Sequence, residues 1–171
     1  MTYEEYRQLR AYSWYDGIYL AILWIGSFAC LIGAFKYPFL SMPCMAIAVS
    51  SPFFVAYRLA KFRDYGLDGH INFGRALLYC LRVFFNAAIF FAIAQYLYMN
   101  FLDNGQMVGY MQAMISQPEM QETFKQLNFP IKDISEALDM ITPVSFTASY
   151  LIENCIAGAV LSIPVALAMK K

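Results

Sequence analysis

RLAKFRDYGLDGHINFGR, residues 58–75, is the only long polar break between apolar runs that is also basic. One apolar segment ends near Ala60 and another starts near Ala76. Tyr65-Gly66-Leu67-Asp68-Gly69 supplies residues that tolerate positive φ, so the chain turns here. Arginine and lysine beside long apolar runs mark the side of a membrane on which a loop stays. The stretch therefore reads as a loop between two spans, and the rest of the chain repeats that arrangement once.

Composition agrees. The chain has 171 residues, 60% hydrophobic and 14% charged, with a mean hydropathy of +0.49. A soluble domain carries about 25% charged residues. The deficit is too large for a water-facing surface of this size. Twelve basic and twelve acidic residues cancel, so net charge offers no argument for nucleic acid, and none is expected as a partner. Cys30, Cys44, Cys80 and Cys155 all lie in apolar runs and form no CxxC pair. They read as small hydrophobes rather than as a disulfide or metal set.

The expected architecture is all-α: an integral membrane four-helix bundle in a single domain, 1–171. Spans fall at about 14–35, 39–60, 76–101 and 143–169. Twenty-two residues rise ~33 Å, enough for a hydrocarbon core of ~30 Å. Residues 1–12 read as a separate short helix lying at the membrane surface, with Ser13 capping the first span and Asp16 in its first turn. Gly26, Cys30 and Gly33 form a small-residue face for a neighbouring helix. Pro52 kinks the second span, with Ser50 and Ser51 placed to satisfy the carbonyls it frees. Asn72 is the expected N-cap of the third span, and Thr142-Pro143 opens the fourth. Ala157, Gly158, Ala159 and Ser162 give the fourth span a small-residue face of its own.

The insertion at 103–140 reads as two amphipathic helices lying on the membrane or capping the bundle. Met107, Met111 and Met114 make an i, i+4, i+7 stripe. Ser116-Gln117-Pro118-Glu119 has the order of a helix start with Ser as cap. Phe129-Pro130 breaks the helix, and Asp133 begins another with Ile134, Leu138 and Ile141 on one face. Methionine thioethers are soft enough for Cu(I). With no His or Cys alongside, the stripe reads as an apolar face.

Four spans put both termini on one side with the 58–75 loop. Arg7, Arg10, Arg58, Lys61, Arg63, Arg75, Arg82, Lys170 and Lys171 lie there, against Lys36, Lys125 and Lys132 on the other. Nine against three makes both termini cytoplasmic by the positive-inside rule.

The run Tyr57-Arg58…Phe62-Arg63-Asp64…Gly69-His70-Ile71-Asn72-Phe73-Gly74-Arg75-Ala76, set between two spans and a third, is informative. So is the Met/Gln/Glu-rich outer segment before a Gly/Ala span that ends in Lys-Lys. The pattern resembles the bacterial membrane proteins of domain-of-unknown-function family 4199 over nearly the whole chain. The resemblance implies a small multi-pass protein of the bacterial inner membrane, with no assigned activity and no catalytic residues to carry over. Members often stand beside a gene for a membrane-associated glycosyltransferase, which implies a connection with cell-envelope glycan.

No catalytic set is found. His70 is the single histidine and reads as a turn residue. No phosphate-cradling glycine loop, zinc motif or nucleophile elbow is present. The intramembrane polar residues Glu153, Asn154, Arg82, Asn86 and Gln95 are the candidate sites. A carboxylate within a span costs roughly 2.5 kcal/mol or more near the centre, so Glu153 is expected to face the bundle. There it would be hydrogen-bonded to Asn86, Gln95 or a serine, or serve as a proton or cation site. Arg82 and Glu153 stand about 15 Å apart along the membrane normal, too far for an ion pair. No enzyme activity, cofactor or metal is expected. The reading is an accessory or scaffold subunit binding another membrane protein or a second copy of itself. The competing reading is a small transporter or channel built on Glu153.

Overall fold

The computed structural model describes residues 2–127 and 130–170, apart from the Ile131 side chain. Met1, Phe129 of the expected helix break and Lys171 lie outside them. The chain is an all-α membrane bundle. Four helices are long and apolar enough to cross a bilayer: α1 (Tyr3–Ala34), α2 (Ser41–Gly66), α3 (Phe73–Phe101) and α7 (Pro143–Met169). Between the last two lie three short helices, α4 (Gln106–Ile115), α5 (Pro118–Gln126) and α6 (Ile131–Asp139). The two-helix expectation for the insertion is thus corrected to three. Ser116 ends α4 rather than capping α5: its Oγ donates to the Gln112 carbonyl at 2.8 Å. The N-cap of α5 is Gln117, with Pro118 in its first turn.

The start of α1 is also corrected. There is no separate surface helix, and Ser13 caps nothing. Thr2 is the N-cap: its Oγ1 accepts from the Glu5 N–H at 3.3 Å, and Glu5 Oε2 accepts from the Thr2 N–H at 2.7 Å. This reciprocal pair satisfies two otherwise orphan donors and starts the helix at Tyr3 rather than at the expected Trp14. Asp16 then falls mid-helix, where a macrodipole role is impossible.

Asn72 does cap α3, its side chain accepting from Arg75 N at 2.9 Å, and Thr142 caps α7 with Ser145 completing a capping box. Between α2 and α3 the chain reverses through Asp68 and Gly69, both at positive φ. Pro52 lies inside α2 and leaves the Ala48 carbonyl without its helical donor. Ser50 and Ser51 donate instead to Ile47, one residue earlier.

The bundle is built around α3, which packs along α1 on one side and α7 on the other. Two clusters fill it. One, toward the end bearing the termini, joins Leu20, Leu59, Phe62, Tyr79 and Val83. The other joins Phe28, Phe91, Met99, Met107 and Phe146 at the far end. Trp24 packs against both. Apolar lipid gives no hydrophobic force between spans, so close fit has to hold them. That fit is made at Gly17 and Gly158; of the expected Gly26, Cys30 and Gly33 face, Gly33 is close only to the tip of the Leu40 side chain, and Gly26 faces open space. A Cβ on Gly17 would lie 2.6 Å from Asn86 Cβ, whereas one on Gly26 would meet nothing within 4 Å.

The insertion caps the end away from the termini. Met107 is buried in the second cluster, and Tyr110 stacks on Phe35 with centroids 4.4 Å apart. The methionine stripe does not act as one face. Met107 is buried, Met111 half-buried and Met114 exposed, while Ile115 beside it is buried instead.

Candidate functional site

Near the termini, α2 and α7 touch. Val55 and Leu59 share a cluster with Val165 and Ala166, and Arg63 Nη1 donates to the Met169 carbonyl at 3.2 Å. Farther along the two helices part. A cavity of about 240 Å³ occupies the gap and opens sideways, toward where lipid would lie. Trp24, Phe28 and Phe91 form its floor. Cys44, Ala48 and Ser51 line it from α2, and Tyr150, Asn154 and Ala157 from α7.

The polar groups of this groove are mostly spoken for. Trp24 Nε1 donates to Ser51 Oγ at 2.8 Å, and Ser27 Oγ donates to the Cys44 carbonyl at 2.9 Å. Asn154 Nδ2 donates to the Tyr150 carbonyl one turn back, at 2.7 Å. The groove is therefore an apolar slot with satisfied polar edges. It holds no pair of groups arranged for acid–base or nucleophilic chemistry.

Glu153 is not where it was expected. It is exposed and makes no hydrogen bond to Asn86, Gln95 or a serine. The cause is helical phase. Gly158 faces α3, where a Cβ would lie 2.6 Å from Phe84 Cβ. Glu153 is five residues earlier, about 140° around the helix. Close packing of Gly158 therefore fixes Glu153 outward. Tyr150 and Ala157, three before and four after it, line the groove, so Glu153 stands on its lip.

The other candidates are dispersed. Asn86 Nδ2 donates to the Ser13 carbonyl at 3.3 Å, pinning α3 to α1 beside Gly17. Arg82 Nη1 donates to Tyr6 Oη at 2.9 Å. Gln95 is fully buried, and neither of its amide atoms has a partner among the described residues. The five residues therefore do not form one site. His70 is exposed in the turn.

The polar constellation that the structure does build was missed. Asp16, 1% exposed, pairs with the Arg58 guanidinium and accepts a hydrogen bond from the Tyr79 hydroxyl. Arg58 also lies over the Tyr19 ring, 5.3 Å from its centroid. One carboxylate thus ties α1 to α2 and α3. The signal was present: a lone Asp one turn inside an apolar run, with an Arg in the next span at a matching depth. A buried ion pair of this kind sets which helices meet more than it adds net stability.

A family model described as "Protein of unknown function (DUF4199)" matches residues 15–171. No curated protein and no solved structure matches the chain.

Proposed function

We propose, for a chain that belongs to the DUF4199 family, that it serves as a non-enzymatic subunit holding another membrane protein against the exposed face of α7. The observation that carries this reading is Glu153, a carboxylate at bilayer depth turned away from its own bundle. It lies ten residues into α7, about 15 Å from the start of the helix. Left against lipid it is costly; covered by a partner's donor or cation it is not. Ile152, Ile156 and Val160 are exposed beside it and supply the apolar part of such an interface. The carrier reading is less well supported, because it needs Glu153 inside a path through the bundle.

The setting we propose is the bacterial inner membrane with both termini cytoplasmic, following the distribution of basic residues. The partner to look for acts on cell-envelope glycan, as the resemblance implies; a second copy of the chain is the other candidate.

The test combines purification of the tagged chain in mild detergent with a photocrosslinker placed at position 156, where Ile156 is exposed beside Glu153. A control crosslinker goes at position 22, where Ile22 is exposed on α1. A single protein adduct from 156 but not from 22, lost together with the co-purified partner on Glu153→Leu, is expected. Lipid adducts alone from both positions, with proton-coupled solute flux in proteoliposomes that Glu153→Gln abolishes, would replace this reading with the transporter.

A further inference from the structure

Among the arginines of α2 and α3, Arg82 is the guanidinium without a carboxylate partner among the described residues. Three other arginines each have a carboxylate: Arg58 has Asp16, Arg63 has Asp64 and Arg75 has Glu5. Arg82 has no acidic partner among the described residues. Its Nη1 donates to Tyr6 Oη, and its guanidinium lies 5.6 Å from the centroid of the Tyr6 ring. Both contacts are to neutral groups. Its Nε is buried without a partner among the described residues. Arg82 is nine residues into α3, roughly 13 Å from the start of that helix. A cation at that depth is expensive unless it reaches a counter-charge at the interface.

The surroundings say what kind of counter-charge. On the outside of the bundle, between α3 and α7, lies a cleft of about 350 Å³. Arg82 closes its end nearer the termini, and Leu81, Phe85, Cys155 and Ala159 form its walls. Cys155 and Ala159 are small and one turn apart on α7, which leaves a slot beside Phe85. A largely apolar slot on the outside of the bundle, headed by the Arg82 guanidinium, matches an amphiphile with an anionic head. A soluble phosphate would satisfy the charge and leave the slot unfilled.

We infer that Arg82 binds the phosphate of an anionic phospholipid whose acyl chain lies in the α3–α7 cleft. This site is on a different flank from Glu153 and does not rest on the subunit reading above. Each basic group near an anionic lipid surface contributes ~1 kcal/mol, a factor of about five. The head groups of phosphatidylglycerol and phosphatidylcholine both carry the phosphate, but only the first keeps a net negative charge, so preference between them reads the guanidinium contribution.

The experiment uses the full chain in nanodiscs of phosphatidylcholine with a minor share of phosphatidylglycerol of the same acyl composition. Lipid retained after detergent transfer is read by native mass spectrometry. Retention of phosphatidylglycerol at least about fivefold over its share is expected, falling to parity in Arg82→Gln and partly restored in Arg82→Lys. If Arg82→Gln does not fold, Ala159→Phe, which fills the slot, is expected to lower retention with Arg82 in place. Two outcomes would overturn the inference. One is undiminished retention in a folded Arg82→Gln or Ala159→Phe chain. The other is displacement of the lipid by inorganic phosphate, which would make the site one for a soluble anion.

Discussion

Phe84 and Gly158 meet so closely that no side chain fits between them: a Cβ on Gly158 would lie 2.6 Å from Phe84 Cβ and 2.9 Å from its Cγ. The obstructing atoms sit at the root of the Phe84 side chain, so rotation cannot clear them. Gly158→Ala should therefore push α3 and α7 apart, at a cost of ~1–3 kcal/mol as in overpacked cores. Gly17→Ala should behave likewise against Asn86. Gly26→Ala should be near neutral, since the space there is open. Unfolding of the three variants in mixed micelles orders them. Helix propensity favours alanine over glycine at all three positions, so a Gly26 variant as damaging as the Gly158 one would mean that these close contacts do not set the effects.

The Asp16 cluster gives an asymmetric expectation. Asp16→Leu leaves the Arg58 guanidinium part-buried without its carboxylate, and a loss of ~3–5 kcal/mol is expected. Asp16→Leu with Arg58→Leu removes both charges and should recover most of that. The coupling from the double-mutant cycle is the quantity to measure. Additive losses would show that the two side chains do not depend on each other.

Gln95 and Thr147 repeat the Phe84 and Gly158 relationship one level farther along. Each lies eleven residues from its counterpart in that contact, close to three helical turns. In antiparallel helices this brings both to the same height on the same seam. Both carry buried polar atoms without partners. Gln95→Leu is therefore expected to leave stability unchanged or raise it by ~1–3 kcal/mol, as an unmet amide is removed. A clear loss would reveal an ordered water joining the two residues, which leucine expels.

Orientation is testable with single cysteines at positions 61 and 125 in a background without the native four. In intact spheroplasts an impermeant maleimide should label 125 and spare 61. The reverse pattern would place the termini outside.

Much of the fold was readable before any coordinates. The presence of four long apolar helices, the caps at Asn72 and Thr142, and the turn at Asp68-Gly69 follow from local rules, and local rules suffice where the helix alone decides. Facing does not follow from them. Gly17 and Gly26 are equally small, and only the identity of the opposing helix makes one a contact and the other open surface. Asp16 looked like a residue for a helix start because Ser13 resembled a cap, while Thr2 and Glu5 made a better one. Glu153 was assigned inward by its transfer cost. That cost is real, but the packing of Gly158 determines the rotation of the helix, and one residue cannot turn it back. The Asp16–Arg58–Tyr79 cluster spans three helices, so no single segment announces it.

The hydrogen bond from Arg63 to the Met169 carbonyl joins positions 106 residues apart. During synthesis, α1 to α3 can associate as soon as α3 is complete, since their mutual contacts lie within the first hundred residues or so. For the whole of the time that the insertion is being made, the α3 surface that will receive Gly158 is bare, and α2 lacks its anchor. Bundle closure is thus timed by the arrival of the last helix. A chaperone or partner that occupies that bare surface meanwhile would compete with α7 itself, and the outcome would depend on the speed of translation.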